Sequence, residues 1–277
     1  MKICFCSFAD LRLENSLLRI ESEAKVFGEF DVISCYNEFS LDKSFKDEVK
    51  DLLLPTCRGF GYWIWKPQVI LQSLRMMDKG DVLLYADAGC VLNNLGKKKF
   101  NEYINILMNS NSGFLVFGSK LKERQYTKSD LFEYFSVLDK PEITCSGQIQ
   151  ATTFMLRKDE FTESVVNQWL DIMLKNHQLI DDTKSKLENS FDFVEHRHDQ
   201  SVFSILMKLN SAKVLPMYHI WSYTWIFMGK YPIWGKRDKG KNIKCKVSIR
   251  NVLFDLKAYV KGLLNLENEN ISAIIKR

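Results

Sequence analysis

The sequence predicts an α/β protein: a mixed, mostly parallel sheet flanked by helices, with a basic helical appendage at the C-terminal end. Short runs of β-formers alternate with helix-length amphipathic segments through residues 2–218, which is the order of strand–helix–strand units. One such run, Asp81-Val82-Leu83-Leu84-Tyr85, leads straight into Ala86-Asp87-Ala88-Gly89, as a buried strand does when it delivers a carboxylate to the edge of a sheet. After Met228 the composition turns to Gly, Lys and Arg. That change places a boundary near Gly229, between a body of residues 1–228 and an appendage of residues 229–277.

The elements follow in order. Residues 2–8 read as a first strand, and 11–26 as a helix with Leu13, Leu17, Ile20 and Ala24 on one face. A second strand is expected at 30–36 and a helix at 43–54. Pro67 suits the first turn of a helix running to about residue 78. A strand at 82–86, a helix at 99–109 and a strand at 114–118 come next. A strand at 150–157 precedes a helix at 160–174 whose core contacts are Phe161, Val165, Trp169, Ile172 and Met173. The polar, acidic stretch 175–193 reads as an exposed connector. A helix at 198–209 places Val202, Phe203, Leu206 and Leu209 at helical spacing, and a short strand at 213–218 closes the body.

With 277 residues, 46% of them hydrophobic, the chain can bury a full core. Its seven cysteines are odd in number and include no CxxC pair. They read as reduced core residues, with Cys4 and Cys6 on one face of the first strand. The opening apolar run is too short for a signal peptide, and no run approaches the ~18 apolar residues of a membrane span. A cytoplasmic protein is therefore expected, with contact to the inner face of the membrane left open. Net charge is +5, yet ten Lys/Arg against two Asp fall between Lys230 and Lys261, and the rest carries 29 basic and 32 acidic residues. The body is not basic, which argues against nucleic acid as a partner.

Four segments can carry chemistry. Asp87, at a strand end, offers a hard oxygen to a metal-bound phosphate, while Ala88 and Gly89 let a ligand approach the backbone; a simple turn-opening Asp is the plainer reading. Arg58-Gly59-Phe60-Gly61-Tyr62-Trp63-Ile64-Trp65-Lys66-Pro67 joins two glycines, aromatic rings and a lysine at a loop-to-helix junction. That suits a stacking wall beside a diphosphate, or an apolar helix start with a surface Lys. In Glu195-His196-Arg197-His198-Asp199-Gln200 the i,i+2 histidines do not share a helical face, so zinc is disfavoured. Asp199 at a helix start reads either as a site carboxylate or as a cap. His219, among aromatic residues, reads as a diphosphate or metal partner or as a half-buried core His.

Taken in order, these segments resemble a retaining glycosyltransferase of the GT-A type. They are similar to family 8, which includes bacterial lipooligosaccharide galactosyltransferases and glycogenin, and to bacterial polysaccharide-synthesis enzymes with YWIWKP and YxDAG signatures. The resemblance covers residues 1–228 and implies a GT-A-like, Rossmann-like sheet. It implies that Ala9 and Asp10 meet the uracil or ribose of a UDP-sugar, and that Lys66 contacts the donor. Asp87 then corresponds to the first metal-binding Asp, Gly89 sits beside the donor, and Gln148 and Gln150 line the sugar and acceptor. Asp199-Gln200 corresponds to the pair near the transferred sugar, and His219 to a late metal-binding His. The cofactor implied is Mn²⁺ or Mg²⁺, bound through Asp87 and His219, although Asp87-Ala88-Gly89 lacks the family's second carboxylate.

By this resemblance the chain moves a hexose from a nucleotide sugar to a saccharide or lipid-linked glycan in surface polysaccharide or lipooligosaccharide synthesis. A helix at 250–264 with Val252, Leu253, Leu256 and Val260 on one side suits an anionic membrane surface or docking on the core. A nucleotidyltransferase acting on sugar phosphates is the rival enzyme reading, but Ser7-Phe8-Ala9-Asp10 lacks its glycine-rich loop. A nucleic-acid-binding protein using the basic tail is a third.

Overall fold

The computed structural model describes residues 1–237 and 248–263. Among these, the strands are β1 (Ile3–Phe8), β2 (Val32–Tyr36), β3 (Val82–Ala86), β4 (Val91–Leu92), β5 (Phe114–Lys122), β6 (Gly147–Arg157), β7 (Lys213–Pro216) and β8 (Ile233–Trp234). The longer helices are α1 (Glu14–Phe27), α2 (Trp65–Arg75), α3 (Lys97–Met108), α4 (Glu160–Lys175), α5 (His198–Leu209) and α6 (Ile249–Leu263). Six strands form one sheet in the order β2-β1-β3-β6-β5-β7, and β4 pairs with β8 in a separate ribbon. Within the six-stranded sheet β6 runs antiparallel to both neighbours while the other pairings are parallel. The mixed, mostly parallel α/β sheet expected from the sequence is present.

Both faces of the sheet are covered, which is why β3 reads as an unbroken apolar run rather than an alternating one. Leu83 and Tyr85 point with Cys4 and Cys6 into a core shared with Val69, Trp169 and Phe203 of α2, α4 and α5. Val82, Leu84 and Ala86 point the other way, into a core with Ile20 and Phe27 of α1 and Phe100 and Tyr103 of α3. This is the period of two of a pleated strand. Trp169 and Phe203 stack at 4.8 Å, and truncating either to Ala costs about 3–5 kcal/mol in cavity and lost transfer energy.

The reversal of β6 is what builds the site. Ala86, the last residue of β3, pairs with Thr153, so residues 147–152 of β6 extend past the carboxyl end of β3. That overhang lies where open α/β sheets bind ligands. It carries Gln148 and Gln150 and supplies the carbonyl of Thr152 to the Asp87 N–H at 2.9 Å.

Some elements differ from expectation. The helix expected over 43–54 stops at Glu48, with Val49 already outside the helical region at φ −112°. The acidic connector is not an open strap. Lys128, itself buried, donates from Nζ to Gln178 O at 2.8 Å, and Leu179 and Ile180 are buried beneath it. The segment after Gly229 is joined to the body, since Val91 pairs with Trp234 and Leu92 with Ile233. Gly96 is required there, because a Cβ would stand 2.4 Å from the Pro232 backbone. Helix α6 docks through a charge. Asp255 accepts from Thr224 N at 2.8 Å and Tyr223 N at 3.1 Å, while Ile249, Leu253, Leu256 and Val260 remain exposed. Leu264 lies outside the described residues. No described helix is long and apolar enough to cross a membrane.

Candidate active site

Lys66 enters the site by way of an unusual turn. Five consecutive residues, Gly59, Phe60, Gly61, Tyr62 and Trp63, have φ between +53° and +90°. Each non-glycine residue in that region costs about 1–2 kcal/mol, so the turn needs compensation. Trp65 donates from its indole to Gly59 O at 3.0 Å and stacks on Phe8 at 4.0 Å. Phe60 is buried, and Tyr62 and Trp63 pack on His198 at 5.1 and 5.6 Å. Gly59 has no alternative, because a Cβ would lie 2.5 Å from the Trp63 ring. Phe60 and Trp65 are thus core residues, not part of a ligand-stacking wall. The turn delivers Lys66 in the first turn of α2, with Pro67 behind it.

The Lys66 side chain is 3% exposed. Its Nζ donates to Ala151 O at 3.2 Å and pairs with Asp87 Oδ1 at 3.2 Å and Asp199 Oδ2 at 2.9 Å. One ammonium therefore joins the β6 overhang, the end of β3 and the start of α5. Burial works against its charge, but the two carboxylates outweigh burial and hold the Lys66 pKa above its ordinary value. Tyr85, buried beneath, donates its hydroxyl to Asp87 Oδ1 at 2.6 Å. Burial, and then the adjacent Asp87 charge, push the phenol well above its usual range, so it remains a donor.

Asp199 is the strained partner. Burial pushes its carboxyl up to about 6, against the pull of Lys66, and the Asp87 charge adds to the rise. The N-cap of α5 is Arg197, so Asp199 lies inside the first turn rather than at the cap position, and its Oδ2 faces Lys66. Gln200, half-buried, donates from Nε2 to Gln148 Oε1 at 2.7 Å. Gln148 is fully buried, and its amide nitrogen is turned toward Tyr126 O, Thr127 Oγ1 and Ser201 Oγ. It holds other residues instead of meeting a donor directly. Gln150 is also buried, and its Nε2 has no partner among the described residues.

The remaining expected residues divide. Ala9 and Asp10 follow β1 at the same end of the sheet, but Ala9 is buried and both Asp10 oxygens are taken by the Arg12 guanidinium, at 3.0 and 2.6 Å. Lys66 is buried against Asp87, Asp199 and the Ala151 carbonyl. Gly89 is half-buried in a loop fastened by Arg19, which donates to Ala88 O at 2.8 Å and Cys90 O at 2.9 Å. Arg19 sits on α1 among ordinary surface charges, and nothing in its local sequence marks it.

The histidines do not make a metal centre. His196 accepts from Lys128 N at Nδ1, which leaves Nε2 to donate to Leu179 O at 2.8 Å; His198 donates from Nδ1 to Ile180 O at 2.6 Å. The HxH pair thus clamps two successive carbonyls of the connector. His219 is fully buried, with Nδ1 2.8 Å from Tyr103 Oη and its ring packed on Tyr218 and Tyr231. Among the described residues no three His, Cys, Asp or Glu side chains form a group able to hold a metal ion. Asp87 offers one carboxylate, and its Oδ1 already faces an ammonium and a phenol. Among the described residues, the donors do not fit a preformed Mn²⁺ or Mg²⁺ site.

No family model matches this sequence, and no curated protein sequence matches it. Solved structures align with it at low identity. One is a glycosyltransferase involved in glycosylation of the major capsid of PBCV-1, 9% identical over 94% of this chain and 100% of that one, TM-score 0.48. Another is the galactosyltransferase LgtC in complex with donor and acceptor sugar analogues, 10% identical over 92% and 95%, TM-score 0.45. A third is a 4-diphosphocytidyl-2C-methyl-D-erythritol synthase from Anaerococcus prevotii, 15% identical over 78% and 86%, TM-score 0.38. Likeness at this level carries nothing about the site, whose reading rests on its own geometry.

Proposed function

We propose that this chain is a GT-A-like glycosyltransferase that moves a hexose from a nucleotide sugar, UDP-linked by the sequence resemblance, to a saccharide or lipid-linked glycan, with retention. The observation that carries the reading is the Lys66 bridge between Asp87 and Asp199. It gathers the motif residues of three separate segments at the carboxyl end of a mostly parallel sheet.

The chemistry asked of these residues is limited and specific. The C1–O bond to the diphosphate breaks, its electron pair stays on the phosphate oxygen, and the acceptor hydroxyl forms the new bond to C1. The acceptor proton leaves on the departing phosphate. The sugar passes through an oxocarbenium-like state, which an anionic Asp199 and the carbonyl end of the Gln200 amide stabilise electrostatically. Lys66 keeps Asp199 charged and in place. Asp87, oriented by Tyr85 and with its side chain 32% exposed, anchors the donor.

The outward apolar stripe of α6, flanked by Arg250 and Lys257, suits attachment to an anionic membrane at the inner face, where lipid-linked acceptors reside. The test of the activity is turnover of a panel of nucleotide sugars by the full chain and by Asp87→Ala. Transfer or donor hydrolysis by the parent alone supports the reading, and equal turnover by both proteins sinks it.

A further inference from the structure

We infer that Gln148 is a positioning residue that fixes which end of the Gln200 amide faces the reacting sugar; this rests on the proposed transferase reading for its catalytic consequence. The two ends of an amide look alike in shape and differ only in whether they donate or accept, so the orientation must come from the network. Here the network has fixed polarity at its far end. Glu123 is fully buried and its carboxylate only accepts: from Lys208 Nζ at 2.6 Å, from Ser204 Oγ, and at Oε2 from Thr127 Oγ1 at 2.9 Å.

Thr127 has therefore spent its proton on Glu123, and toward Gln148 it can only accept. Ser201 has likewise spent its proton on Tyr126 O at 2.8 Å. The Tyr126 carbonyl is an acceptor by nature. Three acceptors, at 3.2–3.3 Å, thus face one end of Gln148, and that end must be the NH₂. Its Oε1 is then turned to Gln200, which must answer with N–H at 2.7 Å. The Gln200 carbonyl oxygen is left as the other end of a half-buried amide.

The consequence is chemical. A carbonyl oxygen toward C1 stabilises a developing positive charge, whereas an NH₂ group toward C1 opposes it. Gln148 touches no substrate in this account; it acts through Gln200. Losing it frees the Gln200 amide to rotate, and a misplaced group at a reacting centre costs on the order of 100-fold in rate. Donor affinity, set elsewhere, stays the same.

The test has two arms. In the first, hydrogen exchange of the Gln200 side-chain NH₂ is followed by NMR on the full-length protein, the signal being assigned by its loss in Gln200→Leu. Slow exchange in the parent and fast exchange in Gln148→Leu is the expected result. Solvent-rate exchange in the parent, or no change in the variant, overturns the orientation. In the second, kcat and KM for the donor are measured for Gln148→Leu, Gln200→Leu and the double variant. The expected result is a similar kcat loss of about 100-fold in all three with KM unchanged; losses that multiply, or a parent-like kcat in Gln148→Leu, overturn it. If the parent turns over no nucleotide sugar, the transferase reading fails and the exchange arm alone decides the orientation. If Gln148→Leu does not fold, exchange in the parent still decides it.

Discussion

Lys66 and Asp199 stand in the first turns of two different helices and meet at 2.9 Å, both almost wholly buried. An ammonium at a helix N-terminus opposes the helix dipole, and a carboxylate there favours it. The pair reconciles the two, and Asp87 shares the same Nζ at 3.2 Å. Breaking such a buried group by removing its cation leaves two carboxylates uncompensated. Lys66→Met is accordingly expected to cost about 3–5 kcal/mol of stability, read as a lower urea midpoint with unchanged slope. A midpoint equal to the parent's would show that the bridge is not formed in solution.

Asp199 sets a pH dependence. Its folded value of about 6 lies above the ordinary 3.8, so between those values the folded chain holds a proton that the unfolded chain has lost. This group's contribution to stability therefore falls as pH rises across that window and levels off above it. Turnover runs in the opposite sense, because the anion is the working form. The acid limb of kcat is expected with a midpoint near pH 6, and in Lys66→Met it moves upward as the favourable charge is lost. A profile flat from pH 5 to 8 would separate Asp199 from the rate.

Asp87 is partly exposed and carries little packing, so Asp87→Ala is expected to abolish transfer while the protein still melts cooperatively, at a lower temperature because buried Tyr85 and Lys66 lose a partner. Tyr85→Phe keeps the carboxylate and removes one orienting bond worth about 1–2 kcal/mol, which predicts a loss of roughly tenfold. Steady-state kinetics of the two variants side by side would reveal any reversal of that order.

The left-handed turn makes Gly59 sensitive out of proportion to its size. Gly59→Ala is expected to destabilise the fold by about 1–3 kcal/mol, through the Trp63 clash and the positive φ. It also lowers activity, because the turn aims Lys66. Gly80, also at positive φ but with nothing within 4 Å of a Cβ, serves as the control: Gly80→Ala is expected to lose only stability, with turnover of the folded protein intact.

The free protein is expected to hold Mn²⁺ only weakly. Of the two carboxylates on Lys66, Asp87 is the more exposed, at 32% against 6% for Asp199, and Lys66 competes for its Oδ1. A Mn²⁺ titration followed by electron paramagnetic resonance should show no stoichiometric binding at micromolar concentration without nucleotide. Tight one-to-one binding to the nucleotide-free chain would restore the metal site that the sequence suggested.

Much of this was legible in the sequence for identifiable reasons. The apolar run at Val82–Ala86 announced a strand buried on both faces, and its terminal Asp87 could only emerge at the strand end. Asp199 was visible at a helix start, and Lys66 beside Pro67. Their meeting at one point was not legible in spacing, since Asp87 and Asp199 lie 112 positions apart and the reversal of β6 creates the shared wall. Lys66 looked like a surface charge or a donor contact, but burial turned it into a bridge. His219 went astray for a related reason: a His among tyrosines satisfies its ring nitrogen locally, here on Tyr103. Arg19 and the polarity of the Gln148 network depend wholly on tertiary neighbours. Gly59 and Gly61 hinted at a turn, but not that Phe60, Tyr62 and Trp63 would join it at positive φ.

The measurement that bears most directly on the central claim is a thermal-shift panel of nucleotide sugars on the parent chain and on Asp87→Ala. A ligand at 100 times its dissociation constant adds about 2.7 kcal/mol to the folded state, a shift of several degrees at most for a chain of this size. The account predicts a selective rise with a UDP-sugar that is lost in Asp87→Ala. A panel in which no nucleotide sugar shifts the parent, or in which parent and variant shift alike, would contradict it.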